Sequence, residues 1–288
     1  MSIQLHQSLN LLLLLVIGFF TANVYLTWID IVFILCFTLV IEHIFLYFNS
    51  SREFYVSYSA LTTAVGVMVL IYASSIWIYF LIITLGLAQK HFLTLSSKHF
   101  FNPSNFALII ALLFFYEDAR FVTGQFGDEV LFSMVVFVLA LSILVRVGRV
   151  LIPFLFIFFY LLLQYLLVVY FDPTITFQQI SHRFYSVTFM LFIYFMLTDP
   201  LVTPAKWQEQ VVFVFFIVLG ATLLDRFYGF RVQHLFMSVF LVSFFVHYRR
   251  YKKLSQQELK LVVTILFLVI VSLIYIEYQA PYYFEMNG

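Results

Sequence analysis

The sequence predicts an all-α, polytopic integral membrane protein with about ten or eleven transmembrane helices, and three observations carry that prediction. Hydrophobic residues fill 64% of the 288 positions and charged residues only 10%, whereas a soluble domain carries about 25% charged residues to cover its surface. Apolar runs recur along the whole chain, and the polar stretches between them are short. A disordered chain is excluded, because 39 Phe and 19 Tyr would bury too much surface to stay unfolded. The formal charge of +1 leaves no electrostatic footprint for nucleic acid.

Eleven apolar segments follow in order, at 9–26, 29–48, 57–73, 76–88, 103–115, 130–145, 150–170, 184–197, 204–224, 234–248 and 259–276. Those near 20 residues match the thickness of a hydrocarbon core, and the shorter ones need packing support or an interrupted helix. The first is expected to remain as a span, since residues 1–8 contain no Lys or Arg and no small-residue cleavage site follows. Cys36 is the single cysteine and lies in an apolar run, so neither an intrachain disulfide framework nor a thiolate cluster is available. The longest polar links, 116–129 and 249–258, are too short for an extramembrane domain. The nine glycines are scattered without a phosphate-loop pattern, which excludes a covalently linked ATPase, kinase or Rossmann module.

If all eleven segments cross, the loop cations divide unequally. Arg52, Lys90, Lys98, Arg146, Arg149, Lys206, Arg249, Arg250, Lys252, Lys253 and Lys260 fall on the side of the N-terminus, leaving Arg120, Arg183, Arg226 and Arg231 for the other. Cytoplasmic loops carry the excess of Lys and Arg. The expectation is a multi-pass protein of the cell membrane with a cytoplasmic N-terminus and an external C-terminus. A short segment that dips in and returns would flip everything after it.

Polar groups at membrane depth need a partner or a function. Glu42 and His43 are adjacent in the second segment and point about 100° apart, so they do not pair on one face. Glu42 is expected to pair with a cation on another helix or reach toward Arg52, with a proton or cation relay as the functional alternative. His234 and His247 flank the tenth segment on different helix faces and read as interfacial residues rather than haem ligands. The aromatic runs 154–160 and 240–245 read as lipid-facing and packing Phe rather than a quinone or pigment path.

Two motifs stand above this background. Lys98-His99-Phe100-Phe101-Asn102-Pro103-Ser104 is a helix start, with Asn102 accepting a free N–H and Pro103 suiting the first helical position. Thr198-Asp199-Pro200-Leu201-Val202-Thr203-Pro204 ends one helix, forms an irregular link and starts the next at Thr203 and Pro204. Irregular backbone at membrane depth survives only where it is buried in protein or lines a cavity. Asp199 is therefore either a cap for that link, which the Asx-Pro chemistry explains, or a charged lining of a polar path.

At these motifs the chain resembles the RnfD/NqrB family, membrane subunits of ion-pumping electron-transport complexes. Ser59-Ala60-Leu61-Thr62-Thr63 looks like that family's Ser-Ala-hydrophobic-Thr-Gly helix start, Lys98 to Ser104 like its Phe-Asn-Pro-[Ser/Ala] motif, and Thr198 to Pro204 like its Thr-Asp-Pro-x-x-[Ser/Thr]-Pro. The order and spacing fit from about 57 to 248. The resemblance implies two inverted five-helix repeats, a plan also seen in urea-transporter-like channels, at about 9–115 and 130–248, with an extra helix at 259–276. The third and eighth segments, ending near Ala73 and Thr198, would then meet from opposite faces. Electron-transfer members carry FMN on the threonine of a Ser-Gly-Ala-Thr motif between the fifth and sixth helices. Here that stretch contains Thr123 with flanks that do not match, so Thr123 is a weak candidate for cofactor attachment and no cofactor is expected.

Three functions remain open on these grounds. The leading expectation is a non-catalytic membrane protein that forms a pathway or scaffold for an ion or small solute, a monovalent cation for example, within a larger membrane complex. Ser59, Thr62, Thr63, Asn102, Pro103, Ser104, Thr198, Asp199, Pro200, Thr203 and Pro204 are its candidate pathway and helix-break residues. The second is a redox subunit of an electron-transport complex that binds FMN, riboflavin or quinone non-covalently. The third is a structural subunit that nucleates an assembly. The lipid bilayer and other membrane subunits are the expected partners, and nucleic acid is not.

Overall fold

The computed structural model describes residues 3–21, 25–48, 57–95, 98–122, 130–171, 175–199, 202–246 and 254–286. Helices dominate, and each apolar segment of the sequence contains one. The first half holds α1 (Ile3–Thr21), α2 (Trp28–Phe48), α3 (Tyr58–Leu70), α4 (Ile76–Phe92) and α5 (Pro103–Phe114). The second holds α6 (Val130–Val147), α7 (Leu151–Leu166), α8 (Phe177–His182), α9 (Val187–Leu191), α10 (Trp207–Tyr228) and α11 (Gln233–Val246). A last helix, α12 (Gln256–Met286), follows. Both α7 and α9 widen into π-helical turns, at Leu167–Phe171 and Phe192–Met196.

Among the described residues four helices are long and apolar enough to cross a membrane, at Trp28–Phe48, Leu151–Phe171, Trp207–Tyr228 and Gln256–Ala280. Others fall well short. With 13, 12 and 14 residues, α3, α5 and α11 rise only about 18–21 Å at 1.5 Å per residue, against about 30 Å of hydrocarbon. Their apolar faces nonetheless read as spans in the sequence, because helix length is cut by capping and backbone geometry rather than by hydropathy. Side chains of Phe, Leu, Val and Ile stay exposed along α2, α7, α10 and α12, as expected of surfaces covered by lipid rather than water.

Interruptions are held by specific bonds. After Leu70 the chain leaves α3 and runs extended as β1 (Ile71–Ala73), which pairs antiparallel with β4 (Ala119–Phe121). The Tyr79 hydroxyl donates to Ile71 O at 2.9 Å and accepts from Ala73 N at 3.2 Å. Two-residue strands β2 (Thr94–Leu95) and β3 (Lys98–His99) close the turn between α4 and α5. None of these short ladders is visible in the sequence: the third apolar segment runs straight through β1, and β2, β3 and β4 fall in the polar links. Nor is α8, which starts on a capping box between Thr176 and Gln179.

Within the first half, α1 packs on α3, α2 on α3 and α4, and α4 on α5; within the second, α6 packs on α9, α7 on α10, and α10 on α11. The halves meet through α1 with α6 and through α5 with α11, and α12 lies against α5 and α11. Close approach of α4 to α5 depends on Gly86, where an added Cβ would lie 2.7 Å from Pro103 O. Gly220 does the same for α10 and α11, since a Cβ there would stand 3.0 Å from Ser238 Oγ.

Candidate functional site

The helix start at Asn102 forms as its residues dictate. The Asn102 side chain accepts from Asn105 N at 3.1 Å, and Pro103 opens α5. Asn102 also reaches across the protein: its Nδ2 donates to Asp199 Oδ2 at 2.7 Å, joining the two motifs over 97 positions of sequence. A hydrogen bond to an ionised carboxylate is the stronger kind.

In the Asp199 link the main-chain oxygen takes the N–H groups of Val202 at 3.1 Å and Thr203 at 2.9 Å. The Thr203 hydroxyl donates to the same oxygen at 2.8 Å. The carboxylate accepts from Asn102. Thr198 donates to Tyr194 O at 2.6 Å across the π-turn of α9. Thr203 and Pro204 do not start the next helix. Gln210 donates to the carbonyls of Pro204 and Ala205 at 3.1 and 3.4 Å, the stretch before them bends, and α10 begins at Trp207. Pro200 lies outside the described residues, as do Thr123, Arg52 and His247.

The other predicted residues divide into near neighbours and outliers. Ser104 is buried and sits over Gly66, with Oγ 3.5 Å from Thr63 O. Thr63 turns back onto Ser59 O at 3.1 Å. Thr62 instead faces α1, where its hydroxyl lies 2.9 Å from Ser8 Oγ. These hydroxyls mostly satisfy helix carbonyls and interhelical contacts, so Asn102 and Asp199 are the pair that tie the two breaks together. The Thr198–Asp199 end meets the start of α5. The β1–β4 ladder has its own link to the second half, through Thr188 Oγ1 donating to Val122 O at 2.8 Å.

Two buried ionic clusters lie apart from this pair. Glu42 meets Lys90 Nζ and His91 Nε2 of α4, and accepts from Ser57 Oγ at 3.0 Å. This is the pairing with a cation on another helix that a buried carboxylate demands. The second cluster was not legible. Asp225, fully buried on α10, accepts from Gln164 Nε2 at 3.0 Å, Arg183 Nη1 at 3.3 Å and Arg231 N at 3.1 Å, and lies 2.7 Å from His234 Nδ1. Arg183 also donates to the Tyr160 hydroxyl at 3.2 Å, and its guanidinium lies 3.4 Å from the centre of the Phe230 ring. On the far side of His234, Glu277 Oε1 of α12 stands 3.2 Å from Nε2.

His234, read as a residue at a span end, is wholly enclosed between two carboxylates. The apolar runs stop one residue before Asp225 and one before Glu277, so hydropathy placed both charges outside the membrane. Gln164, buried near the C-terminal end of α7 just before the π-helical turn, was the available signal of a polar partner within a span. Among the described residues no group of His, Cys, Asp and Glu is arranged to hold a metal ion. No protein-family model matches the chain, and no curated protein matches it.

Proposed function

We propose that the chain is a multi-pass membrane protein built on an RnfD/NqrB-like plan, in which the meeting of Asn102 and Asp199 lines a pathway for an ion or small solute within a larger membrane complex. The observation that carries this reading is the 2.7 Å bond from Asn102 to Asp199, which brings together two helix interruptions from opposite halves of the chain. Half-length helices ending at polar, irregular backbone are what transporters use to bind solutes near the bilayer midplane. A carboxylate held by a side-chain amide offers both charge and orientation to a passing cation.

The order of helix packing supports a repeated plan over about 9–115 and 130–248, and an odd number of spans per repeat would invert the second. In each half the first helix packs on the third, the second on the fourth and the fourth on the fifth, when α8 is set aside. Gly86 and Gly220 occupy matching places in that order, each clearing room for the next helix. The cytoplasmic N-terminus rests on the loop cations. Lys90 and Arg183 are consumed by Glu42 and Asp225, and removing both leaves the excess of cations on the N-terminal side.

The test is cation flux into proteoliposomes, measured for sodium and for protons. Asp199→Asn keeps an oxygen acceptor for Asn102 but removes the charge that offsets ion dehydration, so flux falls sharply while the protein still folds. Normal flux through folded Asp199→Asn rejects the pathway. A visible flavin spectrum in the purified chain would put the redox reading in its place.

A further inference from the structure

The surroundings of His234 leave one proton unaccounted for. Asp225 accepts from Gln164, Arg183 and the Arg231 N–H. His234 Nδ1 approaches the same carboxylate at 2.7 Å. A carboxyl group surrounded by that many donors serves as an acceptor only, so Nδ1 carries a hydrogen and donates it. In a neutral imidazole Nε2 is then a bare lone pair, and it faces Glu277 Oε1 at 3.2 Å. Two acceptors at that distance in a buried site repel each other. The conflict disappears when one additional proton sits between them, as an imidazolium or as a glutamic acid.

Charge balance pulls the other way. Arg183 faces Asp225 and Arg231 faces Glu277, the latter at 3.6 Å. These two cations already cancel the two carboxylates, so the added proton leaves a net positive charge in a site where His234 is fully buried. Hydrogen bonding favours the proton and burial opposes it, which is the condition for a group that takes up and releases a proton rather than holding it. The Nε2 contact is within ion-pair distance but is not aligned as a hydrogen bond, and Nε2 has no other hydrogen-bond partner. A modest side-chain rotation makes or breaks it.

A cavity lies beside the site. Gln233 Nε2 donates to Glu277 Oε1 at 3.2 Å. Gln233 also lines a cavity of about 180 Å3 together with Tyr116, Arg120 and Val232. We propose that His234 and Glu277 form a proton-binding site, anchored by Asp225, that exchanges its proton through the cavity beside Gln233. It shares no residue with the Asn102–Asp199 contact, and it stands or falls independently of a pathway there.

The experiment uses the full chain in lipid nanodiscs, with glutamate labelled by 13C at the side-chain carboxyl and histidine by 15N. Infrared difference spectra and nitrogen spectra are recorded between about pH 5 and 8, the range in which a histidine changes charge. The seven histidines give several signals, and the one that belongs to this site is the reversible proton uptake, a glutamic-acid carbonyl band or an imidazolium signal, that both Glu277→Gln and His234→Gln remove. Asp199→Asn leaves it intact. Glu277→Asp withdraws the acid from Nε2 by one methylene and moves its midpoint. Absence of any wild-type signal that both variants remove, or an unmoved midpoint in Glu277→Asp, overturns the proposal.

Discussion

Truncating Asn102 to alanine removes two bonds of different worth, and the difference is measurable. The cap on α5, at 3.1 Å to Asn105 N, is worth about 1 kcal/mol. The bond to the Asp199 carboxylate, at 2.7 Å, is worth about 1.5–3 kcal/mol, as hydrogen bonds to charged groups are. Asn102→Ala is therefore expected to cost about 2.5–4 kcal/mol. Asp199→Ala loses the second bond, at a cost of about 1.5–3 kcal/mol. Because that bond is shared, the double variant loses it once, and a double-mutant cycle returns a coupling of about 1.5–3 kcal/mol. Asp199→Asn keeps a neutral acceptor about half as strong, so it loses only about 1 kcal/mol. Unfolding in mixed detergent micelles, followed by the fluorescence of the three tryptophans, gives all four values. Additive costs, with a coupling below about 0.5 kcal/mol, would show that the two interruptions are not bonded to each other.

Further outcomes follow from the same geometry. Glu42→Ala strands Lys90 and His91 without their carboxylate and is expected to cost about 3 kcal/mol, the lower end applying because the Lys90 side chain keeps 18% of its exposure; adding Lys90→Met recovers part of the loss, and no recovery would count against the pair. Gly86→Ala drives a methyl group to 2.7 Å from the Pro103 carbonyl and lowers stability by about 1–3 kcal/mol, so a variant with an unchanged melting temperature would contradict the close packing of α4 on α5. A reporter fused after Lys253 is expected to read as cytoplasmic and one fused after Gly288 as external; both ends on one face would refute a single crossing by α12.

Composition by itself pointed to a bilayer as the solvent of this protein. With so few charges and so many aromatic side chains there is no way to cover the exposed faces of α2, α7, α10 and α12 with polar groups, and four of the apolar runs appear as helices of membrane-crossing length. Local chemistry also placed α5, because the Asn102–Pro103 pair carries its own cap and its own φ. The need of Glu42 for a cation was legible in the same way, since burying a lone carboxylate costs more than any helix preference returns.

Tertiary structure decided the rest. Which cation Glu42 takes depends on α4 packing beside α2, and no spacing along the chain encodes that. The strands β1 and β4 exist only because Tyr79 and each other's backbone satisfy polar groups that a bilayer leaves bare. Asp199 was read as either a cap for its own link or the lining of a polar path; in the folded chain its backbone oxygen holds Val202 and Thr203, and its carboxylate meets a partner from the other half that no local chemistry encodes. Asp225 and Glu277 fall at the ends of apolar runs, where a one-dimensional reading puts water. Packing of α7, α11 and α12 instead encloses them around His234. Hydropathy measures transfer of a residue alone, whereas a buried charge is tolerated according to the donors that three or four separate segments bring to it.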